Sequence, residues 1–198
     1  MFNFVNYLIL MIAIIEFKNT DYSDLISAME ETGIEYVITN NEEMILQAEK
    51  VIIPNCDEFS SALKQLNRLN LFSHLRIIDK PILGISTGFI ILTNFCTTSN
   101  VPCLGLIPSP IIGKKLNIGF HPITRISESR LLMDIEEDTK FYFSSDYFVP
   151  KMTNTTVVLE DEVEISAVIE KGNVFGIQFL PEKSGEAGLK VLKNFVNM

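Results

Sequence analysis

From Met11 onward the chain alternates short apolar runs with segments whose apolar residues recur at three- and four-residue spacing. Met11–Ile15, MIAII, reads as a buried strand, because consecutive apolar residues leave it no polar face. The next segment, DYSDLISAMEETG, sets Leu25, Ile26 and Met29 at helical spacing and stops at Gly33. Glu35–Thr39 is a second strand, and NNEEMILQA a short helix capped by Asn40 or Asn41, whose side-chain oxygens suit a first-turn N–H. Lys50–Pro54 is a third strand, closed by Pro54. FSSALKQLNRLNLF places Leu63, Leu66 and Leu69 along one side of an amphipathic helix. Pro81–Ile85 is a fourth strand, and GFIILTNF is a helix beginning at Gly88.

Short apolar strands separated by helices predict an α/β fold: a mostly parallel sheet between two helical layers, a three-layer sandwich of flavodoxin-like type. Right-handed crossovers then collect the strand C-termini on one edge, where such folds bind ligands, and Pro54 and Ser86 fall on it. The second half changes character. LNIGFHPITRI, KFYFSSDYFV, TTVVLE, EISAVIE and NVFGIQF read as strands, with a tight turn at Lys171-Gly172-Asn173. SGEAGLKVLKNFV closes the chain as a helix with Ser184 at its N-cap. There is no repeat, linker or low-complexity tract, so residues 11–198 are expected to form one domain.

Residues 1–10 belong to an apolar stretch interrupted by Asn3 and Asn6, and the first basic residue is Lys18. A signal peptide needs a basic leading region, and a membrane span needs about 20 apolar residues. The segment is therefore read as an N-terminal extension or an upstream start, and the protein as cytoplasmic. A formal charge of −9 argues against nucleic acid as a partner, since phosphate binding needs a basic face. Cys56, Cys96 and Cys103 form no CxxC and no metal-ligand spacing, which fits free thiols in a reducing compartment; no metal or cofactor is expected.

The candidate chemistry lies in PILGISTGF, where Gly84-x-Ser86-x-Gly88 has the spacing of a nucleophile elbow between a strand and a helix. Together with MIAII, the GLIP of Gly105–Pro108 and NVFGIQFLPEKSGEAGLKVLKNF, this elbow resembles the class I (triad) glutamine amidotransferases, most closely the glutaminase subunit of imidazole glycerol phosphate synthase. The resemblance runs from Met11 to the C-terminus. It implies an elbow cysteine that attacks the glutamine side-chain amide, with the base and orienting acid in a His-Pro-Glu tripeptide. Here the elbow holds Ser86 and the tripeptide is Leu180-Pro181-Glu182. A thiol of ordinary pKa ~8.5 reaches its anion near neutrality, whereas a serine hydroxyl depends wholly on a neighbouring base. Leu180 cannot accept a proton. In a comparable serine triad, losing nucleophile or base costs roughly 10⁶-fold in turnover.

Other family positions have drifted as well. The family's glycine-rich oxyanion loop is Pro54-Asn55-Cys56-Asp57-Glu58-Phe59 here, which removes the glycines and adds negative charge beside a site meant for an anion. The second oxyanion donor, the N–H of Thr87, is expected to survive because Gly84 and Gly88 preserve the turn. The family's pocket glutamine becomes Ile90, read as helix packing. Cys56 is followed by two acids, which raise a thiol pKa, and is read as a structural loop residue. His74 and His121 are the two histidines, and both are read as locally satisfied. A serine esterase built on Ser86 and His121 fails the chain order Ser, acid, His, since no acid lies between them.

Three readings follow. The first is a degenerate amidotransferase-like subunit that binds or regulates a (β/α)₈ cyclase-type partner, as the family's glutaminase docks on one. Lys183 and Ser184, in the turn near the family's docking face, would meet that partner. The second is a slow glutaminase or a Ser86-dependent hydrolase. The third is a small-molecule sensor using the old glutamine pocket. The resemblance admits histidine biosynthesis or another amidation route.

Overall fold

The computed structural model describes residues 11–96, 101–111 and 116–198. Residues 1–10, read above as an extension, lie outside them. The first half runs β1 (Ile12–Ile15), α1 (Ser23–Glu30), β2 (Tyr36–Thr39), α2 (Glu42–Gln47), β3 (Lys50–Ile53), α3 (Phe59–Arg68), α4 (Leu71–Arg76), β4 (Ile82–Ile85) and α5 (Thr87–Leu92). Then come β5 (Thr93–Cys96), β6 (Val101–Pro102), β7 (Ile107–Ile111), β8 (Gly119–Pro122), β9 (Thr124–Arg125) and β10 (Lys140–Phe143). The chain ends with β11 (Thr155–Glu160), β12 (Glu164–Lys171), β13 (Val174–Ile177), a 3₁₀ turn at Pro181–Lys183 and α6 (Gly185–Val196).

An eight-stranded sheet has the order β2-β1-β3-β4-β13-β12-β11-β9. The first five strands are parallel and the last three antiparallel. Strand pleating sends alternate residues to opposite faces, and both faces are covered. Ile12, Ile14, Leu83, Ile85, Phe175 and Ile177 pack on the face that holds α1 and α6. Ala13, Ile15, Val51, Ile53 and Ile82 pack on the other, against α3, α4 and α5. The apolar runs legible in the sequence are thus strands buried twice over, and the expected three-layer arrangement is the one formed.

Four expected elements are cut shorter, the strand read over KFYFSSDYFV being one, since only Lys140–Phe143 pairs as β10. The helix predicted over Phe59–Phe72 breaks at Asn70, whose φ of 59° is left-handed, and restarts as α4. The helix after the elbow ends at Leu92, and Thr93–Cys96 pairs with β6 and β7 in a separate three-stranded sheet. LNIGFHPITRI splits, so that β8 pairs with β10 while β9 joins the large sheet. Elsewhere the capping reading is met: Asn41 Oδ1 accepts from the Met44 N–H at 3.1 Å.

Glycines set how closely α5 approaches the sheet. Gly84 on β4 and Gly176 on β13 are register partners, so they leave a bare strip across two neighbouring strands. The Phe89 ring covers Gly176, where a Cβ would overlap it. A Cβ on Gly88 would overlap the Ile53 carbonyl oxygen, which is backbone and cannot swing aside. Gly88→Ala is therefore expected to destabilise the protein by about 3 kcal/mol. Urea unfolding checks this: a change within 0.5 kcal/mol, roughly the noise of a surface substitution, would contradict the close approach.

Candidate functional site

The loops leaving β1, β3, β4 and β13 meet at the C-terminal edge of the sheet. Ser86 sits between β4 and α5 with φ 49° and ψ −107°, a conformation that costs an L-residue on the order of 1–3 kcal/mol and persists only where the surroundings impose it. They do so here. The Ser86 N–H donates to the Ile177 carbonyl at 2.8 Å, and its own carbonyl accepts from the Ile90 N–H at 3.1 Å. The elbow expected from Gly84-x-Ser86-x-Gly88 is built.

The surroundings of the hydroxyl differ from those of an activated nucleophile. Ser86 is fully buried, and its Oγ donates to the Ser144 carbonyl oxygen at 3.4 Å. A backbone carbonyl holds a proton in place but does not remove it. Leu180 follows β13 with its N–H donated to the Tyr142 carbonyl at 2.9 Å, and its buried side chain belongs to the core on the α1–α6 face. The histidines are engaged elsewhere. His74 Nδ1 lies 3.0 Å from the Asn70 carbonyl, and His121 Nε2 lies 2.9 Å from the Asn117 carbonyl. Neither bonds Ser86.

The Thr87 N–H, expected to remain open as an oxyanion donor, is covered instead. Asn55 Oδ1 accepts from the Thr87 hydroxyl at 2.9 Å and faces the Thr87 N–H at 3.4 Å. Asn55 thus places a neutral acceptor where a developing negative charge would need the donor. Cys56 is buried, and burial, then the charge of Asp57, pushes its thiol up to about 12, the opposite of an activated thiolate. Ile90 is fully buried in α5, as its packing reading requires.

The 3₁₀ turn supplies the remaining groups. Glu182 Oε2 is buried with no hydrogen-bond partner among the described residues. Burial pushes its carboxyl up to about 7; Asp24 adds to the rise, while a backbone hydrogen bond and Lys183 oppose it. Lys183 is exposed and reaches Asp24 at 3.5 Å, a contact worth little at a solvated surface. Ser184 holds the expected N-cap position of α6, but without a side-chain cap bond. Its hydroxyl is buried, accepting from the Tyr142 N–H at 3.0 Å and donating to the Leu180 carbonyl at 2.6 Å, so within the chain it ties β10 to the turn rather than facing outward to a partner. Lys183 alone of that pair faces outward.

The sequence reading missed Ser144, which holds the elbow hydroxyl, and Thr20 and Tyr22 of the loop after β1 and Asp24 in the first turn of α1, which line one cavity with Glu182. Ser144 had no local signal. The other three lay in or next to a loop at the ligand-bearing edge, which was the available clue.

The Glu182 carboxyl gives a sign-definite pH effect. Its folded pKa lies above its ordinary 4.5, so folding favours the neutral form. Its contribution is fully present below about 4.5 and is lost as pH rises through about 7. Glu182→Gln should thus gain on the wild type by about 3 kcal/mol between pH 4.5 and pH 8. Denaturant unfolding at both pH values measures the difference, and a pH-independent gap would contradict the burial of this acid.

A sequence model of the family described as glutamine amidotransferase class-I matches residues 13–198. The chain is 34% identical over 196 residues to the imidazole glycerol phosphate synthase subunit HisH of Methanothermobacter thermautotrophicus, covering 95% of this chain and 98% of that protein. It is 30% identical to the protein of the same name from Pectobacterium atrosepticum, covering 94% and 99%. A solved structure described as a glutamine amidotransferase superimposes with a TM-score of 0.74 at 14% identity, covering 94% of this chain and 99% of that one, which is a likeness of fold.

Proposed function

The chain belongs to the class I glutamine amidotransferases and is HisH-like along nearly its whole length, and from that premise we propose that it is a subunit without glutaminase activity that acts by binding or regulating a (β/α)₈ cyclase-type partner. The observation that carries the reading is the environment of Ser86. A hydroxyl with a pKa far above neutrality needs a base within reach, and the group beside it is a backbone carbonyl. Leu180 supplies methyl groups where a base would stand. The Asn55 oxygen over the Thr87 N–H supports the same reading from the oxyanion side.

The partner half of the proposal rests on the relatives, each named as a subunit of imidazole glycerol phosphate synthase. Lys183 and Asp24 present exposed charges at the sheet edge, which is the surface a docking subunit would cover. Gel filtration of the chain with the cyclase-type subunit of its own organism tests this. Co-elution is expected, weakened by Lys183→Glu; separate elution would end the partner reading.

One observation favours a second reading, a slow Ser86-dependent hydrolase: the elbow keeps its strained geometry. The two readings separate on one assay. Ammonia release from glutamine and turnover of an activated ester are expected to be equal for the wild type, Ser86→Ala and buffer alone. Activity lost in Ser86→Ala would establish the hydrolase.

Restoration probes the oxyanion contact directly. Ser86→Cys with Leu180→His is expected to stay poor, because Asn55 still covers the Thr87 N–H. Adding Asn55→Gly frees that donor and should raise glutamine turnover by about 10²-fold or more, the size of one oxyanion donor. Equal rates for the double and triple variants would show that Asn55 has no such role.

A further inference from the structure

Between the loop after β1 and α3 lies a cavity of about 540 Å³, within the range of roughly 300–1,000 Å³ usual for small-molecule sites. It is distinct from the elbow and from the family's glutamine position, since neither Ser86 nor Ile90 lines it. Gln65 fixes the spacing of its two walls. The buried Gln65 amide accepts from the Lys18 N–H at 3.1 Å and donates to the Glu16 carbonyl at 2.6 Å, so both of its ends hold the loop to the helix. Asn19, directly beyond this anchor, takes a left-handed φ of 58°. The separation of loop and helix is thus set within the chain, with or without an occupant.

Charge along this cleft is sorted. Ser61, Lys64, Gln65 and Arg68 recur at three- and four-residue spacing, so they share one face of α3. Lys64 and Arg68 carry the charge of that face, and Lys18 lines the same cleft from the loop. Asp57 and Glu58 occupy the other end, where the start of α3 favours negative charge. From Glu58 to Arg68 the helix axis rises about 15 Å, at ~1.5 Å per residue. Among the described residues, Lys151, Lys183, Lys190 and Arg130 each have an acid within ion-pair distance, whereas Lys18, Lys64 and Arg68 have none. Asp57 and Glu58 pair with no cation there either. In a chain whose acids outnumber its lysines and arginines 25 to 16, three cations without a partner on one cleft run against the overall balance. All five charged residues are exposed, so a solute reaches them.

We infer that this cleft is a binding site for a small aminoalkyl phosphate, its phosphate held by Lys18, Lys64 and Arg68 and its amine directed to Asp57 and Glu58. Three cations against two carboxylates leave the wall one positive charge in excess, which a phosphate dianion carrying one ammonium group cancels. Arg68 suits phosphate because a guanidinium presents paired N–H donors in one plane, and the two lysines add charge without a fixed direction. The ammonium group finds acceptors at the acidic end. A lone anion meets the two carboxylates and a lone cation meets three like charges, so neither uses the whole cleft. This site goes beyond the partner-binding reading and stands whether or not a cyclase-type subunit docks.

O-Phosphoethanolamine is the probe, with inorganic phosphate and ethanolamine as comparators at about pH 8, where the phosphate is a dianion and the amine is charged, and at matched ionic strength. Thermal unfolding of the full chain should show a saturable rise with phosphoethanolamine, because a ligand that binds only the folded state must stabilise it. Inorganic phosphate should bind about ten-fold more weakly, and ethanolamine should give no saturable rise. Lys64→Ala and Arg68→Ala, on the exposed face of α3, should each weaken phosphoethanolamine about ten-fold by removing a charge-assisted contact. Arg76→Ala removes a charge that does not line the cleft and should leave the affinity unchanged. Asp57→Asn with Glu58→Gln should weaken phosphoethanolamine yet tighten inorganic phosphate, a reversal that a general change of surface charge does not produce. Amide chemical-shift changes should centre on residues 17–19 and 57–68. Absence of a saturable rise, equal affinity for phosphoethanolamine and inorganic phosphate, equal losses in Arg76→Ala and Arg68→Ala, or a shift in the same direction for both ligands in the double variant would each overturn the site.

Discussion

The close seating of α5 on a strip of glycine is the constraint from which the rest of this edge follows. Gly84 and Gly176 lie side by side on two parallel strands, and Gly88 meets the end of β3 without a side chain. That approach forces the chain through a tight reversal, and Ser86 is the residue at the reversal. Its left-handed φ belongs to the turn, and two backbone hydrogen bonds at 2.8 and 3.1 Å hold it there. The turn is needed whatever chemistry position 86 performs. The strain belongs to the helix packing, which explains how it persists at a hydroxyl bonded only to a backbone carbonyl.

The same separation of fold and chemistry appears at the 3₁₀ turn. Leu180 adds a buried aliphatic side chain to the core, worth about 1.5–3 kcal/mol. Glu182, left with an unpaired buried oxygen and a carboxyl pushed up to about 7, subtracts a similar amount once ionised. The two effects come near to balance. Ser184 then secures the segment from within, its hydroxyl bonding β10 on one side and the Leu180 carbonyl on the other. The turn is held by a residue that the sequence placed on the outside.

Three parallel strands of the first half, β1, β3 and β4, were legible because each is a run of apolar residues too short for a helix and buried on both faces, while the half-buried edge strand β2 was legible from its β-branched and aromatic residues. The elbow glycines were legible from their spacing, and the Leu-Pro-Glu tripeptide from the resemblance of the segment that holds it to the family. What escaped depended on contacts between distant loops. The break at Asn70 needs only one residue to enter a left-handed conformation, and periodicity cannot register it. Thr93–Cys96 continues the apolar pattern of α5, yet pairing with β6 and β7 draws it into a strand. The Asn55–Thr87 contact joins residues 32 apart, so composition could flag the missing glycines but not the oxygen that fills their place.

Electrostatics gives these local changes a common direction. An edge that stabilises a developing oxyanion must offer donors and a positive potential. This edge offers acceptors: Asn55 Oδ1 over the Thr87 N–H, the Ser144 carbonyl on the Ser86 hydroxyl, and the carboxylates around Glu182. Each alone could be a neutral substitution. Together they place acceptors at this edge, within a chain whose formal charge is already −9, and that is the electrostatic argument behind the proposed inactivity. Restoring a thiol at position 86 would place its anion in this field, raising rather than lowering its pKa. On the proposed reading, nucleophile, base and donor would have to be introduced together, because any one of them introduced alone meets these acceptors.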